Sequence, residues 1–233
     1  MTKIDILVFA AHPDDAELAC SGTIAKEVAN GKKVAIVDLT QGEMGTRGTP
    51  ELRLQEAQKA ADVLGLTARE NLGFKDCFFK KDDEHLMKIA EMIRKYQPEV
   101  VLANAEYDRH PDHGKAGDLI ETAVFWSGLR KMDIPYDPWR PKRVYHYIQD
   151  RITRPDFVVD ITDQWETKLN SIKAFSSQFY DPDNKLNEPQ SYISSQRFWK
   201  VIEARAREYG HHIGVEFAEG FTCRNPIELR SVL

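Results

Sequence analysis

Four short runs, 4–10, 33–40, 70–74 and 99–104, alternate with helix-patterned stretches through the first half of the chain. Three of them are dense in Val, Ile and Leu, as strands buried on both faces are. The intervening segments carry helix punctuation. The stretch 16–30 runs into Gly31, a natural residue just past a helix end. Thr49-Pro50 reads as an N-cap followed by proline at the first helical position. Leu54, Ala57, Ala61 and Leu64 then form an apolar stripe closed by Gly65, and Leu86, Ile89, Ala90 and Ile93 form another before Pro98. A β-α-β-α order needs crossover connections. It predicts an α/β fold with a mostly parallel sheet and helices on both faces, a three-layer α/β/α arrangement.

Beyond residue 130 the pattern loosens. Pro135, Pro138 and Pro141 mark a loop over 133–142, and 143–149 and 156–162 read as later strands. Trp165, Leu169 and Ile172 give a helix, 180–190 a long polar surface loop, 194–209 a helix and 216–223 a final strand. The 233 residues suit one large domain spanning 1–233. A net charge of −5 with no basic stripe argues against a nucleic-acid partner. No apolar run approaches the ~18 residues of a membrane span, and no signal-peptide pattern opens the chain. Cys20, Cys77 and Cys223 are odd in number and lack a Cys-x-x-Cys pair, which fits reduced thiols and a cytoplasmic location. Cys20 reads as a small buried hydrophobe.

Chemistry concentrates at two strand ends. His12-Pro13-Asp14-Asp15 stops the first run, and Asp108-Arg109-His110-Pro111-Asp112-His113 follows the fourth, before a helix reaching about Trp126. In a parallel sheet both loops leave the same edge, where open α/β folds bind their ligands. His12, Asp15 and His113 would supply two imidazoles and a carboxylate, a set that suits zinc and leaves a fourth position for water. Asp14 would then be free as a general base. His110 would face the same cavity, with Asp112 orienting its ring. Singly, Asp14, Asp15 and Asp112 would each suit a helix N-terminus for capping alone; two such clusters at neighbouring strand ends are harder to explain that way. Arg47, Arg53 and Arg109 lie close to strand ends and would suit a substrate bearing carboxylates. Arg53 sits in the first turns of its helix, where a positive charge opposes the macrodipole. Arg47 and Arg109 read equally well as solvated loop charges. The glycine-rich stretch 42–48 matches neither G-x-x-x-x-G-K-[ST] nor G-x-G-x-x-G, so a nucleotide site is rejected.

The stretch Ala11-His12-Pro13-Asp14-Asp15-Ala16-Glu17 resembles the A-H-P-D-D-x-E signature of the LmbE-like, or PIG-L, zinc deacetylases, and His110-Pro111-Asp112-His113 resembles their second motif. The segment 41–48, followed by Arg53-x-x-Glu56, is similar to the bacillithiol-pathway subgroup that acts on N-acetylglucosaminyl-malate. The resemblance implies a Rossmann-like fold and one Zn2+ per chain, with Fe2+ as an alternative. It implies hydrolysis of the N-acetyl group of an N-acetylglucosamine conjugate, a small-molecule acetylated amino sugar. It assigns His12, Asp15 and His113 to the metal and Asp14 to the base. His110, oriented by Asp112, becomes an acid or an electrostatic partner, and Arg53 a substrate contact. Tyr192 would be a mobile-loop tyrosine aimed at the oxyanion. Relatives of this kind are often multimeric, so a homo-oligomer is expected, with Trp126, Tyr136, Trp139 and Tyr145 as interface candidates, the alternative being that they line a core or the pocket. Two other readings remain: a deacetylase or amidase for another amino-sugar or thiol conjugate, and a non-catalytic Rossmann-like binding module.

Overall fold

A computed structural model describes residues 3–180, 188–229 and 231. Five runs form parallel strands: β1 (Ile6–Ala10), β2 (Val34–Thr40), β3 (Ala68–Phe74), β4 (Val100–Ala103) and β5 (Arg143–Tyr147). Two later strands, β6 (Phe157–Asp160) and β7 (Ala218–Thr222), complete one sheet in the order β3-β2-β1-β4-β5-β7-β6. β7 runs antiparallel to both of its neighbours. The helices are α1 (Asp15–Ala29), α2 (Pro50–Leu64), α3 (Asp83–Tyr96), α4 (Pro111–Ser127), α5 (Trp165–Lys173) and α6 (Gln196–Ile213).

β1 lies at the centre, with Val8 in register with Ile36 on one side and Leu102 on the other. Its side chains alternate between two cores. Leu7 and Phe9 pack with Ile89, Ile93, Leu119 and Ile120 of α3 and α4. Val8 and Ala10 pack with Ala16, Ala19, Cys20 and Ile24 of α1. Both faces are therefore covered, and Cys20 is the buried apolar residue its position suggested. A third core joins α2, α5 and α6 around Ile161, Phe175 and Phe198.

The strands and helices of the first half fall where the apolar patterning put them, with Thr49 capping α2 through Leu52 N and Gly65 in the left-handed region behind it. Leu54 departs from the expected stripe and is 37% exposed. The inward line of α2 runs instead through Arg53, Glu56, Ala57, Ala60, Ala61 and Leu64, so two charged groups take the core-facing positions nearest the helix start. The four aromatics named as interface candidates take different places. Trp126 and Trp139 pack against the core, and Tyr145 meets Phe157 edge-on at 4.8 Å, leaving Tyr136 as the exposed member. The expected loop 180–190 lies mostly outside the described residues. Among these, no helix is long and apolar enough to cross a membrane.

From β1 the chain moves to β2 and β3 on one side, then returns to β4 on the other. The order reverses between β1 and β4, and that opens the crevice in which α1 and α4 begin. Gly117 brings α4 close to this edge: a Cβ there would stand 2.9 Å from the Asn104 carbonyl oxygen and 3.3 Å from His146 Nδ1. Glycine-to-alanine in an exposed helix gains about 1 kcal/mol. Here we expect Gly117→Ala to destabilise by about 1–3 kcal/mol, seen as a lower urea midpoint at unchanged slope. A midpoint at or above wild type would contradict this close packing.

Candidate metal centre and its pocket

Asp14 follows β1 at the N-cap position of α1, with φ 123° and ψ −20° and no side-chain capping bond. A non-glycine residue held there is strained, and such strain gathers at functional sites. The carboxylate is not a helix cap. It is buried, and Oδ2 accepts from Arg53 Nη2 at 2.6 Å. Arg53 also donates to the Pro13 carbonyl. Gly42, at φ +66°, leaves room for this guanidinium: a Cβ would stand 2.2 Å from Nη1.

Asp15, one residue on, faces the opposite way. Its Oδ2 accepts from the His12 backbone N–H at 3.0 Å and from Asn104 Nδ2 at 3.1 Å. Its Oδ1 accepts from Gln149 Nε2 at 3.0 Å and lies 3.0 Å from His113 Nε2. His12 Nδ1 stands 3.5 Å from Oδ2.

Three imidazoles surround this carboxylate, with ring centroids 4.7 Å (His12–His110), 5.1 Å (His110–His113) and 5.7 Å (His12–His113) apart. The outer nitrogen of His12, Nε2, lies 3.0 Å from Asp76 Oδ1 and 3.6 Å from Asp112 Oδ2. The outer nitrogen of His113, Nδ1, is held by Asp108. Carboxylates behind histidines in this way are the usual support of metal-ligating imidazoles, and they turn the inner nitrogens onto Asp15. His110 is different. Its Nδ1 accepts from the Asp112 backbone N–H at 3.3 Å, so the ring proton resides on Nε2. The expected support of His110 by the Asp112 carboxylate is corrected here. That carboxylate accepts from Cys77 N at 3.0 Å and Lys115 Nζ at 2.6 Å and faces His12; it is the Asp112 backbone that orients His110.

Neighbouring groups are driven in opposite directions. Burial raises Asp14 to about 7, against the pull of Arg53. Burial also opposes ionisation of Asp15, but His113 and His12 outweigh it and hold that carboxyl well below its usual range. Burial lowers His113, yet Asp15 and Asp108 raise it to about 9. His12 is raised likewise, burial being outweighed by Asp112, Asp15 and Asp76. His110 falls below its ordinary value through burial and the charges of His12 and His113.

Among the described residues, two donor sets bring their atoms within 4.8 Å of one another: His12, His110 and His113, and His12, Asp76 and Asp112. His110 in the tautomer described offers an N–H, which cannot bind a cation. Asp76 and Asp112 sit on the outer face of His12. The inner nitrogens of His12 and His113, meeting at Asp15, form a mixed nitrogen–oxygen set of the kind a divalent ion takes in open catalytic sites.

The pocket above holds about 300 Å³. Arg47, Arg53, Arg109 and Tyr192 all line it, but each is engaged within the protein. Arg47 Nε donates to the Ser177 carbonyl at 2.9 Å, and is thus no solvated loop charge. Arg109 pairs with Asp150 at 2.8 Å, its guanidinium 4.6 Å from the Tyr192 ring centre. The Tyr192 hydroxyl donates to Asp150 at 3.0 Å, another residue of the pocket lining. Asp76, Asn104, Gln149 and Arg205 have no role in the sequence reading, and Asp108 appears there only as the first residue of the second cluster. Asp76, Asn104 and Gln149 closely follow β3, β4 and β5, which is a usable signal at this sheet edge. Arg205 interrupts the buried stripe Phe198, Ile202, Ala206 and Tyr209 of α6.

A crevice at the β1/β4 switch point that holds a candidate His/Asp metal site is the arrangement of a metal-dependent enzyme built on an open α/β sheet. The family model described as PIG-L, GlcNAc-PI de-N-acetylase, matches residues 7–124. The diacetylchitobiose deacetylase of Thermococcus kodakarensis is 32% identical over 230 residues, covering 92% of this chain and 81% of its own. Among solved structures, the conserved protein TT1542 of Thermus thermophilus superposes with a TM-score of 0.87 at 37% identity over 99% of both chains. The N,N'-diacetylchitobiose deacetylase of Pyrococcus horikoshii gives 0.79 at 29% identity, covering 93% of this chain and 82% of its own. The chain belongs to the PIG-L, or LmbE-like, family and is a deacetylase, a hydrolase of amide bonds.

The His12/Asp15/His113 set and the three-imidazole set of His12, His110 and His113 make different predictions. Asp15→Asn and His113→Ala should each lose tightly bound divalent metal after dialysis, as read by elemental analysis, while His110→Ala should keep it. Loss in His110→Ala with retention in Asp15→Asn would favour the three-imidazole set instead.

Proposed function

We propose that this enzyme removes the N-acetyl group from an N-acetylglucosamine conjugate, using zinc held by His12, Asp15 and His113. We propose N-acetylglucosaminyl-malate as the substrate, consumed in bacillithiol biosynthesis in the cytoplasm by a homo-oligomeric enzyme. The observation that carries the deacetylase reading is the division between two adjacent carboxylates. Asp15 is enclosed by amide donors and imidazoles, whereas Asp14 is buried beside Arg53 with its proton affinity raised to about 7. A binding module has no use for a carboxyl poised to exchange protons at neutral pH.

Bound there, the ion would polarise the acetyl carbonyl and lower the pKa of water toward ~7. The remaining work belongs to the chain. Asp14 accepts a proton from the attacking water, and Arg53 fixes its orientation. His110, proton on Nε2, donates to the oxygen on which negative charge develops; a single donor of this type contributes about 3 kcal/mol. The leaving amine needs a proton. His110 is a poor source, because burial and two adjacent imidazoles disfavour its charged form. Asp14 already holds the proton taken from water, and its raised value lets it return it.

Four guanidinium groups line the pocket, and the malate conjugate is favoured by the one of them, Arg205, that has no carboxylate partner among the described residues, Arg47, Arg53 and Arg109 being engaged within the protein. Diacetylchitobiose, the substrate named for the archaeal relatives, is the second reading; it is neutral and would make no ionic use of that wall. Acetate release should be measured on N-acetylglucosaminyl-malate, diacetylchitobiose, N-acetylglucosamine and an inositol-linked N-acetylglucosaminide. The malate conjugate is expected to give the highest kcat/KM. A preference for diacetylchitobiose would replace the malate assignment, and no acetate from any of them would refute the deacetylase reading.

The base must be ionised to act, so kcat/KM should fall as pH drops through the Asp14 value. That acid limb is expected at or below about 7, since a bound cation lowers the value further. Asp14→Asn should cut kcat by about 10²–10⁴-fold with metal content unchanged. Wild-type turnover in this variant would reassign the base.

A further inference from the structure

The four arginines of the pocket wall are not equivalent. Arg53 pairs with Asp14 and Arg109 with Asp150, and Arg47 lies on the Ser177 carbonyl, 3.7 Å from Glu188. Arg205 is only 8% exposed and lines the same cavity. Among the described residues its one hydrogen bond runs from Nη2 to the Leu18 carbonyl, at 2.9 Å, and no carboxylate comes within ion-pair distance. The acids whose fields reach it are taken up elsewhere. Asp150 is held by Arg109 and the Tyr192 hydroxyl, Glu219 by Lys168 and Thr23, and Asp108 by His113 and the Arg151 amide. A buried guanidinium without a counter-charge is costly, and burial holds Arg205 below its ordinary range.

Its placement is informative. Leu18 lies in the first turns of α1, and its amide bonds back to the Asp14 carbonyl. Leu18, whose carbonyl anchors Arg205, therefore stands about one helical turn, ~6 Å along α1, from the backbone of the residue that bears the acid–base group. The rest of the guanidinium fork has no partner among the described residues, and a planar fork suits a carboxylate or phosphate better than any neutral group.

We infer that Arg205 is the residue that sets substrate specificity in this pocket, its guanidinium receiving an anionic group, a carboxylate or a phosphate, on the aglycone of the acetylated amino sugar. This rests on the deacetylase reading above. It moves the anion contact from the arginines that pair internally to the one that does not.

The test compares metal-loaded wild type, Arg205→Met and Arg205→Lys on N-acetylglucosaminyl-malate, N-acetylglucosamine 1-phosphate and a neutral methyl N-acetylglucosaminide. The ratio of kcat/KM on an anionic substrate to that on the neutral one should fall at least about tenfold in Arg205→Met, mainly through KM. The fall should be smaller in Arg205→Lys, which keeps the charge and loses the fork. Whichever anionic substrate shows the larger fall identifies the group received. An unchanged ratio, with all substrates still turned over, overturns the inference while leaving the deacetylase reading intact. If wild type releases acetate from none of them, the parent reading fails and this one with it. If Arg205→Met does not fold by circular dichroism, Arg205→Lys carries the test. Free malate and inorganic phosphate are then titrated against hydrolysis of the neutral substrate. At least one should compete with wild type and compete several-fold more weakly with the lysine variant; equal competition in both proteins, or none in wild type, overturns the proposal.

Discussion

The Asp15 carboxylate gathers the His12 amide from the end of β1, the Asn104 side chain from the end of β4 and the Gln149 side chain from beyond β5, and it faces His113 in α4. Three parallel strands and a helix are thereby tied at one buried anion. Asn104 and Gln149 are themselves joined at 3.1 Å, and Asn104 Oδ1 accepts from the Ala11 amide, so the donors are fixed before any ligand arrives. Charge-assisted bonds of this kind are the strong ones, and removing one partner from a buried network costs more than the net worth of the bond. The crevice exists because the strand order reverses between β1 and β4. The proposed cation site rests on this carboxylate, which has two imidazole nitrogens on its flanks.

Around that point the fold separates groups that are adjacent in sequence. Asp14 and Asp15 are chemically identical, yet a backbone strained at φ 123° sends one toward Arg53 and leaves the other among amides and imidazoles. Burial without sufficient compensation raises the first; close positive partners lower the second. Paired carboxyls whose proton affinities are pushed apart are the usual basis for dividing acid–base work from charge stabilisation. The strain at Asp14 is offset by the rest of the site, because the Arg53 guanidinium bonds both the Asp14 carboxylate and the Pro13 carbonyl and fits in a space that Gly42 leaves open.

Much of this was legible in the sequence, for local reasons. Strands buried on both faces are written as apolar runs, and the caps Thr49 and Gly65 are local signals, so the first four elements could be read directly. The two charged clusters stand at strand ends, and a parallel sheet must bring those ends to one edge. Non-local pairing could not be read: β7 inserts antiparallel between β5 and β6 although it follows them by more than fifty residues. Single supporting residues such as Asp76, Asp108 and Gln149 carry no motif, and only the folded chain puts them behind the histidines. The arginines show the same limit. Arg53 was conspicuous because its charge opposes the helix dipole, but its partner proved to be Asp14. Arg205, silent in a helical stripe, is the pocket arginine with no carboxylate partner among the described residues.

The most direct test is anomalous scattering from a crystal of the zinc-loaded protein, recorded on both sides of the metal absorption edge. The account predicts one peak per chain, bonded to His12 Nδ1, an Asp15 carboxylate oxygen and His113 Nε2, with the Asp14 carboxylate and His110 Nε2 facing the open side and outside bonding distance. A peak bonded to His110 in place of Asp15, or one seated between Asp76 and Asp112, would contradict it.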